Sequence, residues 1–413
     1  MSNKMYTITI FKDLIAKYPN WNDLKTYLQS DEGGKLMITE SSGVLSQDNV
    51  IIHYKKDYSD MAVKHTKWFK SVVWDTIRNI PISVSTPKSE EDDPTKWDSI
   101  SYNYVVEEYL EGVTFNAYYC EKDANMNIAS RTKFGATGKF YSNKSFNEMI
   151  LEALKKKDET YTTDILKNLF IQLDSTKHIS SFITLLLQHP EHIVVEHVSD
   201  ATLYLLQTGV VNKDGTVEIS ENSQNIIIES LNISHSKPYE NQTIPEWFVE
   251  ISKSKKWDWR GVVVKDSEGN RWRIKSPFYN MIRNLRGNTS RSDERFFNLR
   301  SQGLVKQYLT YYPEESNTFW GYEKWIRKAT NDLFGLYIGV NKAKTIGYND
   351  VDPLMKAHIT ALQMYYYSVL KPIGKTVVKE NVIVYMNALP VPRLLYMMNF
   401  NKRDVEISVS TAN

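Results

Sequence analysis

Residues 257–280, WDWRGVVVKDSEGNRWRIKSPFYN, constrain the fold more than any other stretch, because they read as a β-hairpin whose second strand ends in alternating cations. Val262, Val263 and Val264 are a β-branched run, Asp266 to Asn270 supply turn residues, and Arg271, Arg273 and Lys275 then recur at every second position. The strand period of two places those three cations on one face. A row of fixed charge of this kind reads either as a solvated strand face or as an edge suited to phosphates, since Arg offers a planar fork of donors and Lys a compact point charge.

The surrounding composition favours a polyanion. The net charge is only +2, yet Lys253 to Arg300 holds 13 Lys and Arg against 5 Asp and Glu. With 413 residues and 41% hydrophobic content, the chain is long enough for roughly two or three domains with real cores. No apolar run approaches the roughly 20 residues needed to span a bilayer, and the charged amino terminus (Lys4, Lys12, Asp13) lacks a secretory core. One cysteine, Cys120, excludes an internal disulfide framework and a cysteine-based zinc site, so an intracellular protein is expected.

In chain order, Tyr6 to Leu28 has helical spacing, broken at Asp31-Glu-Gly-Gly34. Short strands are expected at Leu36–Thr39, Val50–Tyr54, Ser71–Asp75 and Pro81–Ser85, which argues for antiparallel sheet. Pro87 fixes the backbone before Lys88, so this lysine is either a site residue at a defined strand end or an exposed turn lysine, and an acidic loop follows from Glu90. Glu107 to Phe115 reads as strand, Glu-Gly bend and strand. Gly112 allows close approach of a ligand, and Glu111 is placed to accept from a ribose hydroxyl or a base amine. Ser130 to Phe140, SRTKFGATGKF, reads as a site loop in which Phe140 stacks on a base and Arg131 meets phosphate. Residues 144–190 read as helices, 203–248 as strands with a turn at Ile244-Pro-Glu246, and the chain from about 289 onward as helical, bounded by Pro313 and Pro353. Tyr365 to Tyr367 sit at helical spacing and are read mainly as core.

The order of these pieces resembles the covalent nucleotidyltransferase superfamily, in particular the RNA ligases of phages and large DNA viruses. Glu108-Tyr-Leu-Glu-Gly112 lies where the family has Lys-x-Asp/Glu-Gly, whose lysine takes AMP from ATP. Ser130-Arg-Thr132 with Gly138-Lys-Phe140 resembles the second motif, and Val194 to Ser199, read as an apolar strand carrying Glu196, the third. Arg260 to Lys265 resembles the fourth, and Arg273-Ile-Lys275 the fifth, which carries two phosphate-binding lysines in the family. Three positions depart: Tyr109 stands for the nucleophilic lysine, Arg260 for the usual Glu, and Arg273 for a lysine. Tyrosine, with an unperturbed pKa near 10, is a poor substitute for an activated amine.

The resemblance implies an α+β fold: an antiparallel-sheet nucleotidyltransferase (ATP-grasp-like ligase) domain over 1–285, with a helical insertion at about 144–190, then a mostly helical C-terminal domain over 286–413. It implies an ATP-dependent RNA ligase joining 5′-phosphate and 3′-hydroxyl ends through a protein-AMP intermediate, with ATP and Mg²⁺. The alternative is an inactive relative that binds RNA or a protein, or serves in a virus particle. The expected setting is the host-cell cytoplasm or a virion. Lys88, in a segment like one that reaches the site in phage-type ligases, is the candidate for a displaced nucleophile; Lys70 falls where the family usually has an arginine. The nucleotide site is expected to comprise Glu111, Gly112, Arg131, Phe140, Glu196, Lys265, Arg273 and Lys275, with no metal ligands assigned. Arg283, Arg286, Arg291 and Arg295 are expected to face an RNA backbone.

Overall fold

The computed structural model describes residues 5–40, 48–92, 104–120, 126–220, 228, 231, 233–239 and 244–399. The chain forms two compact units that divide between Met281 and Ile282.

The first unit is α+β and built on three sheets. A four-stranded antiparallel sheet runs in the order β2 (Met37–Glu40), β3 (Asn49–His53), β4 (Val72–Asp75), β5 (Ile80–Val84). A seven-stranded sheet follows the order β1 (Met5–Ile8), β12 (Val217–Ser220), β11 (Thr202–Asn212), β10 (His178–Gln188), β8 (Val113–Cys120), β9 (Asn127–Ser130), with β13 (Ile233–His235) parallel to β11. The third has the order β14 (Pro238–Tyr239), β7 (Val105–Glu108), β15 (Gly261–Lys265), β16 (Arg271–Lys275), β6 (Glu90–Glu91).

Apolar alternation explains the layering. Trp74, Ile82 and Val84 of the four-stranded sheet pack with Phe182 and Val211 of the seven-stranded one, closed by Phe11, Leu14, Leu24 and Leu28 from helices α1 (Ile10–Lys17) and α2 (Trp21–Gln29). Side chains cross between these sheets: Ser180 Oγ donates to Ile82 O at 2.7 Å and Gln207 Nε2 to Val84 O at 3.0 Å, satisfying carbonyls on β5, the sheet's last strand. The opposite face of β10, with Ile183, Leu185 and Leu187, buries Met149, Ile150 and Leu154 of α3 (Phe146–Lys155). That helix starts at a capping box formed by Ser145 and Glu148. The third sheet closes on α4 (Ile244–Ser254) through Val106, Val262, Val264 and Ile274 against Phe248 and Trp259.

Several expectations are corrected. The helix expected over 6–28 is strand β1 followed by two helices, interrupted where Asn20 caps α2 by accepting from the Asp23 amide at 3.0 Å. Helix is expected throughout 144–190, but His178–Gln188 is the central strand β10; apolar residues on both faces of a doubly covered strand mimic a buried helix. Residues 244–246 open α4 where a turn is expected. The strand expected at 225–228 lies outside the described residues except Ile228, which is helical.

The second unit is helical: α5 (Pro277–Arg286) leads into it, followed by α6 (Ser292–Ser301), α7 (Val305–Tyr311), α8 (Ser316–Tyr337), α9 (Pro353–Tyr365) and α10 (Lys379–Ala388). Pro313 opens a 3₁₀ turn and Pro353 the first turn of α9, where a missing amide costs least. Its core centres on Phe296, Phe319 and Tyr308, the last two stacked with centroids 5.4 Å apart. Tyr365 and Tyr367 are exposed, not core, at the point where α9 gives way to a π-helical turn over Tyr366–Leu370. No described helix is long and apolar enough to cross a membrane.

Candidate active site

The hairpin is present, with Gly261 paired to Lys275 and Val263 to Arg273. Ile274, fully buried, points into the α4 core, so Arg271, Arg273 and Lys275 share the other face with Val263 and Lys265. Gly261 takes a φ of +122°, and a Cβ there would lie 2.1 Å from Ile274 O. That tight register holds Lys275 beside the Tyr109 strand end, since the Tyr109 amide donates to Gly261 O at 2.9 Å.

The four-stranded sheet supplies the facing groups from one set of strand ends. Tyr54 follows β3, Lys70 precedes β4, and Thr86 and Lys88 follow β5. Backbone bonds fix them: Tyr54 N to Phe69 O (2.7 Å), Ser85 N to Ser71 O (3.0 Å) and Lys88 N to Lys67 O (2.9 Å). Arg131, beyond β9, lays its guanidinium 4.3 Å from the Tyr54 ring centroid and donates to Tyr54 O at 2.7 Å. The Lys88 ammonium lies 5.3 Å from the same centroid. Lys70 donates to Thr86 Oγ1 at 3.4 Å. Burial pushes the Lys70 amine down to about 7, reinforced by Arg271, Arg131, Arg260 and Arg273. Burial, then Arg273 and Arg131, lowers Lys88 as well.

Glu91 offsets part of this charge. It accepts from Lys275 at 2.9 Å and from Arg273 at 3.1 Å, and Arg273 also donates to both oxygens of Ser89. The bond from Lys275, then that from Arg273, holds the Glu91 carboxyl below its ordinary range. Among the described residues, the buried Nε atoms of Arg131 and Arg260 have no hydrogen-bond partner. Lys265 reaches the same face but is buried in an ion pair with Glu107 at 2.6 Å.

At the departures from the family motifs, Tyr109 and Arg260 touch each other. The Arg260 guanidinium stacks 3.7 Å from the Tyr109 centroid, with Nη2 donating to Tyr109 Oη at 2.9 Å and Nη1 to Leu110 O at 2.7 Å. Glu111 is buried with both oxygens engaged. Oε1 accepts from the amides of Val194 (3.1 Å), Val195 (2.9 Å) and Glu196 (3.1 Å), and Oε2 accepts from Tyr279 Oη at 2.5 Å. Residues 194–199 are therefore an irregular loop wrapped on a carboxylate, where an apolar strand is expected. Gly112 has a φ of +156°, and a Cβ would lie 2.4 Å from Leu187 O, so it holds the chain against β10. Burial, then the nearby Glu111, Asp258 and Glu108, pushes Glu196 up to about 7.

Of the expected site residues, Lys88, Arg131, Arg273 and Lys275 stand around the cationic site and Lys265 on its sheet face. Glu111 and Gly112 shape the loop beside it. Phe140 is 39% exposed in an aromatic group with Tyr141 and His192. Three contributors were not among those expected. Tyr54 carried no signal beyond ending an apolar strand, Lys70 was marked by its place alone, and Glu91 belonged to an acidic loop whose partner became visible only through the parallel β6–β16 pairing. Among the described residues, no group of three His, Cys, Asp or Glu side chains gathers to hold a metal.

In the second unit the expected RNA-facing arginines separate. Arg286 and Arg295 are 5% and 4% exposed and converge on Glu315, Arg286 at 3.2 Å and Arg295 at 3.0 Å. A charge sealed in this way does not meet a nucleic-acid backbone, and the expectation is corrected for both. Arg291 is exposed and forked on Asp293, and Arg283 bonds Gly287 O and Asn288 Oδ1.

No family model and no curated protein sequence matches the chain. Among solved structures, it is similar to an archaeal ATP-dependent RNA ligase in two forms. For form 1 the identity is 12% and the TM-score 0.39, covering 76% of this chain and 73% of that one. For form 2 they are 11% and 0.38, covering 74% and 73%. It is also similar to a Naegleria gruberi RNA ligase with PPi, at 12% identity and a TM-score of 0.31, covering 48% of this chain and 57%, less than two thirds, of that one.

Proposed function

We propose that the chain is an RNA-ligase-like nucleotidyltransferase that binds a nucleoside triphosphate, takes its nucleotidyl group onto a lysine of the cationic site, and passes it to an RNA 5′-phosphate. The observation that carries this reading is the convergence of Lys70, Lys88, Arg131 and Arg273 from four separate segments, with Glu91 bridging Arg273 and Lys275. Gathering like charges is unfavourable unless an anion with several charges joins them. Motif order supports a triphosphate as that anion. Arg273 and Lys275 would hold phosphate oxygens once Glu91 yields, and Arg131 has a buried Nε still to satisfy.

Mg²⁺ neutralises phosphate charge in such transfers. The described side chains do not form a cage for it: Glu111 is saturated by protein donors, and Glu196, its carboxyl raised to about 7, accepts from Gln188 Nε2 at 2.8 Å. The ion would arrive on the phosphates.

A second reading, a ligase-fold protein that binds RNA without transfer, is favoured by one observation: a guanidinium stacks on Tyr109, where the family places its lysine. Incubation with α-labelled ATP and Mg²⁺, followed by 5′-phosphorylated RNA, separates the two. Transfer predicts an acid-labile, hydroxylamine-sensitive label that moves to RNA. Salt-dependent RNA binding without label would establish the second reading, and neither label nor RNA binding would refute both.

A further inference from the structure

We propose that Lys70 is the amine that accepts the nucleotidyl group, in place of the Lys88 favoured by motif order; the proposal rests on the transfer reading above. The geometry that points to it is the pairing of the described amines nearest the site. Lys265 is bound to Glu107 and Lys275 to Glu91. Lys67 is held by Asn270 at 2.8 Å and by Glu90 at 3.7 Å. Lys88 lies over the Tyr54 ring, with Asp57 and Glu90 near enough to favour its charged form. Lys70 differs from all four. Its one hydrogen bond goes to a neutral hydroxyl, Thr86 Oγ1, and among the described residues no carboxylate lies within ion-pair distance.

The charged groups that weigh on its amine are cations from three segments: Arg271 and Arg273 on β16, Arg131 beyond β9, and Arg260 ahead of β15. Such a setting disfavours an ammonium and leaves a nitrogen lone pair available, while the same guanidinium groups attract a triphosphate. The mounting is rigid. Phe69 and Ser71 on either side are 0% and 4% exposed, and their carbonyls accept from Tyr54 and Ser85.

In the step, the neutral Lys70 amine forms a nitrogen–phosphorus bond to the α-phosphorus of the nucleoside triphosphate. The bond from that phosphorus to the α,β-bridging oxygen breaks, its electron pair leaves on pyrophosphate, and the surplus proton on nitrogen passes to water. Arg271, Arg273 and Arg131 hold the charge that develops on the leaving group.

The test uses the full chain with α-labelled ATP and Mg²⁺, digestion under alkaline conditions and peptide mapping by mass spectrometry, beside Lys70→Arg. The expected result is one adenylyl group on Lys70, no label in Lys70→Arg, and ATP binding by that variant within about threefold of wild type, since the positive charge is kept. The rate of labelling should rise with pH and level off above the amine's pKa. An adenylyl group on Lys88 or elsewhere, or label surviving Lys70→Arg, overturns the assignment and leaves the transfer reading standing. No label on the wild type overturns both. If Lys70→Arg does not fold, mapping on the wild type decides alone.

Discussion

Glu315 in the helical unit gives the sharpest quantitative expectation. Its carboxylate serves Arg286, Arg295 and the Tyr308 hydroxyl, with contacts of 3.0–3.3 Å, and Tyr308 Oη also accepts from Arg286 at 2.8 Å. Both arginine side chains are 5% exposed and that of Glu315 15%. Glu315→Gln keeps the shape and removes the carboxylate that both buried guanidinium groups contact. Removing one partner of a buried pair costs about 3–5 kcal/mol. The slight exposure of Glu315 lets water screen part of this, which places the expected loss near the lower end, about 3 kcal/mol. At roughly 3 °C per kcal/mol for a unit of this size, its transition should fall by about 10 °C. Calorimetry of the full chain, with hydrogen exchange across Ser316–Tyr337 to assign the transition, reads it directly. A loss below about 1 kcal/mol would mean that the pair behaves as a solvated surface bridge. The arginines would then be accessible, and their exclusion from an RNA interface would be refuted.

Two further outcomes concern the first unit. Glu91→Gln should tighten binding of ATP or inorganic triphosphate roughly fivefold, because a half-exposed carboxylate that must leave Arg273 and Lys275 opposes the ligand by about 1 kcal/mol; unchanged or weaker binding in a titration would show that Glu91 does not compete for those cations. Glu196, raised to about 7 from an ordinary 4.5, binds its proton more tightly in the folded state, so its contribution is fully present below pH 4.5 and is lost as pH rises toward 7. Glu196→Gln should flatten that decline in urea midpoints, and an unaltered slope between pH 5 and 7 would count against the assignment.

The hairpin was legible because strand period, turn residues and charge agree over one short stretch, and β15 and β16 follow it. Strands β2 to β5 were legible for the same reason, each bounded by polar turns. What local sequence could not carry was partnership. Arg286 and Arg291 look alike in sequence, yet one is sealed against Glu315, 29 residues on, and the other is solvated beside Asp293. Residues 194–199 read as strand because their apolar content was visible and the carboxylate their amides wrap, 83 residues earlier, was not. Lys70 lay in plain view, but its setting depends on four arginines from β16, the approach to β15 and the loop after β9.

The two chemical departures of the site are better understood as one. Tyr109 alone would leave a phenol where the family keeps a lysine, and Arg260 alone would bury a guanidinium where it keeps a carboxylate. Together they form a stacked, hydrogen-bonded pair in which Arg260 also caps Leu110 O. Against the motifs that the chain resembles, a neutral ring and a cation stand where a lysine and a carboxylate would, a local charge of about +1 in place of about zero. That added charge is felt at Lys70, where Arg260 is among the groups favouring a neutral amine. On the transfer reading proposed above, the charge that Arg260 brings beside Tyr109 would favour a neutral Lys70 amine, and a tyrosine at the motif-lysine position would then be compatible with a set of cations suited to phosphate.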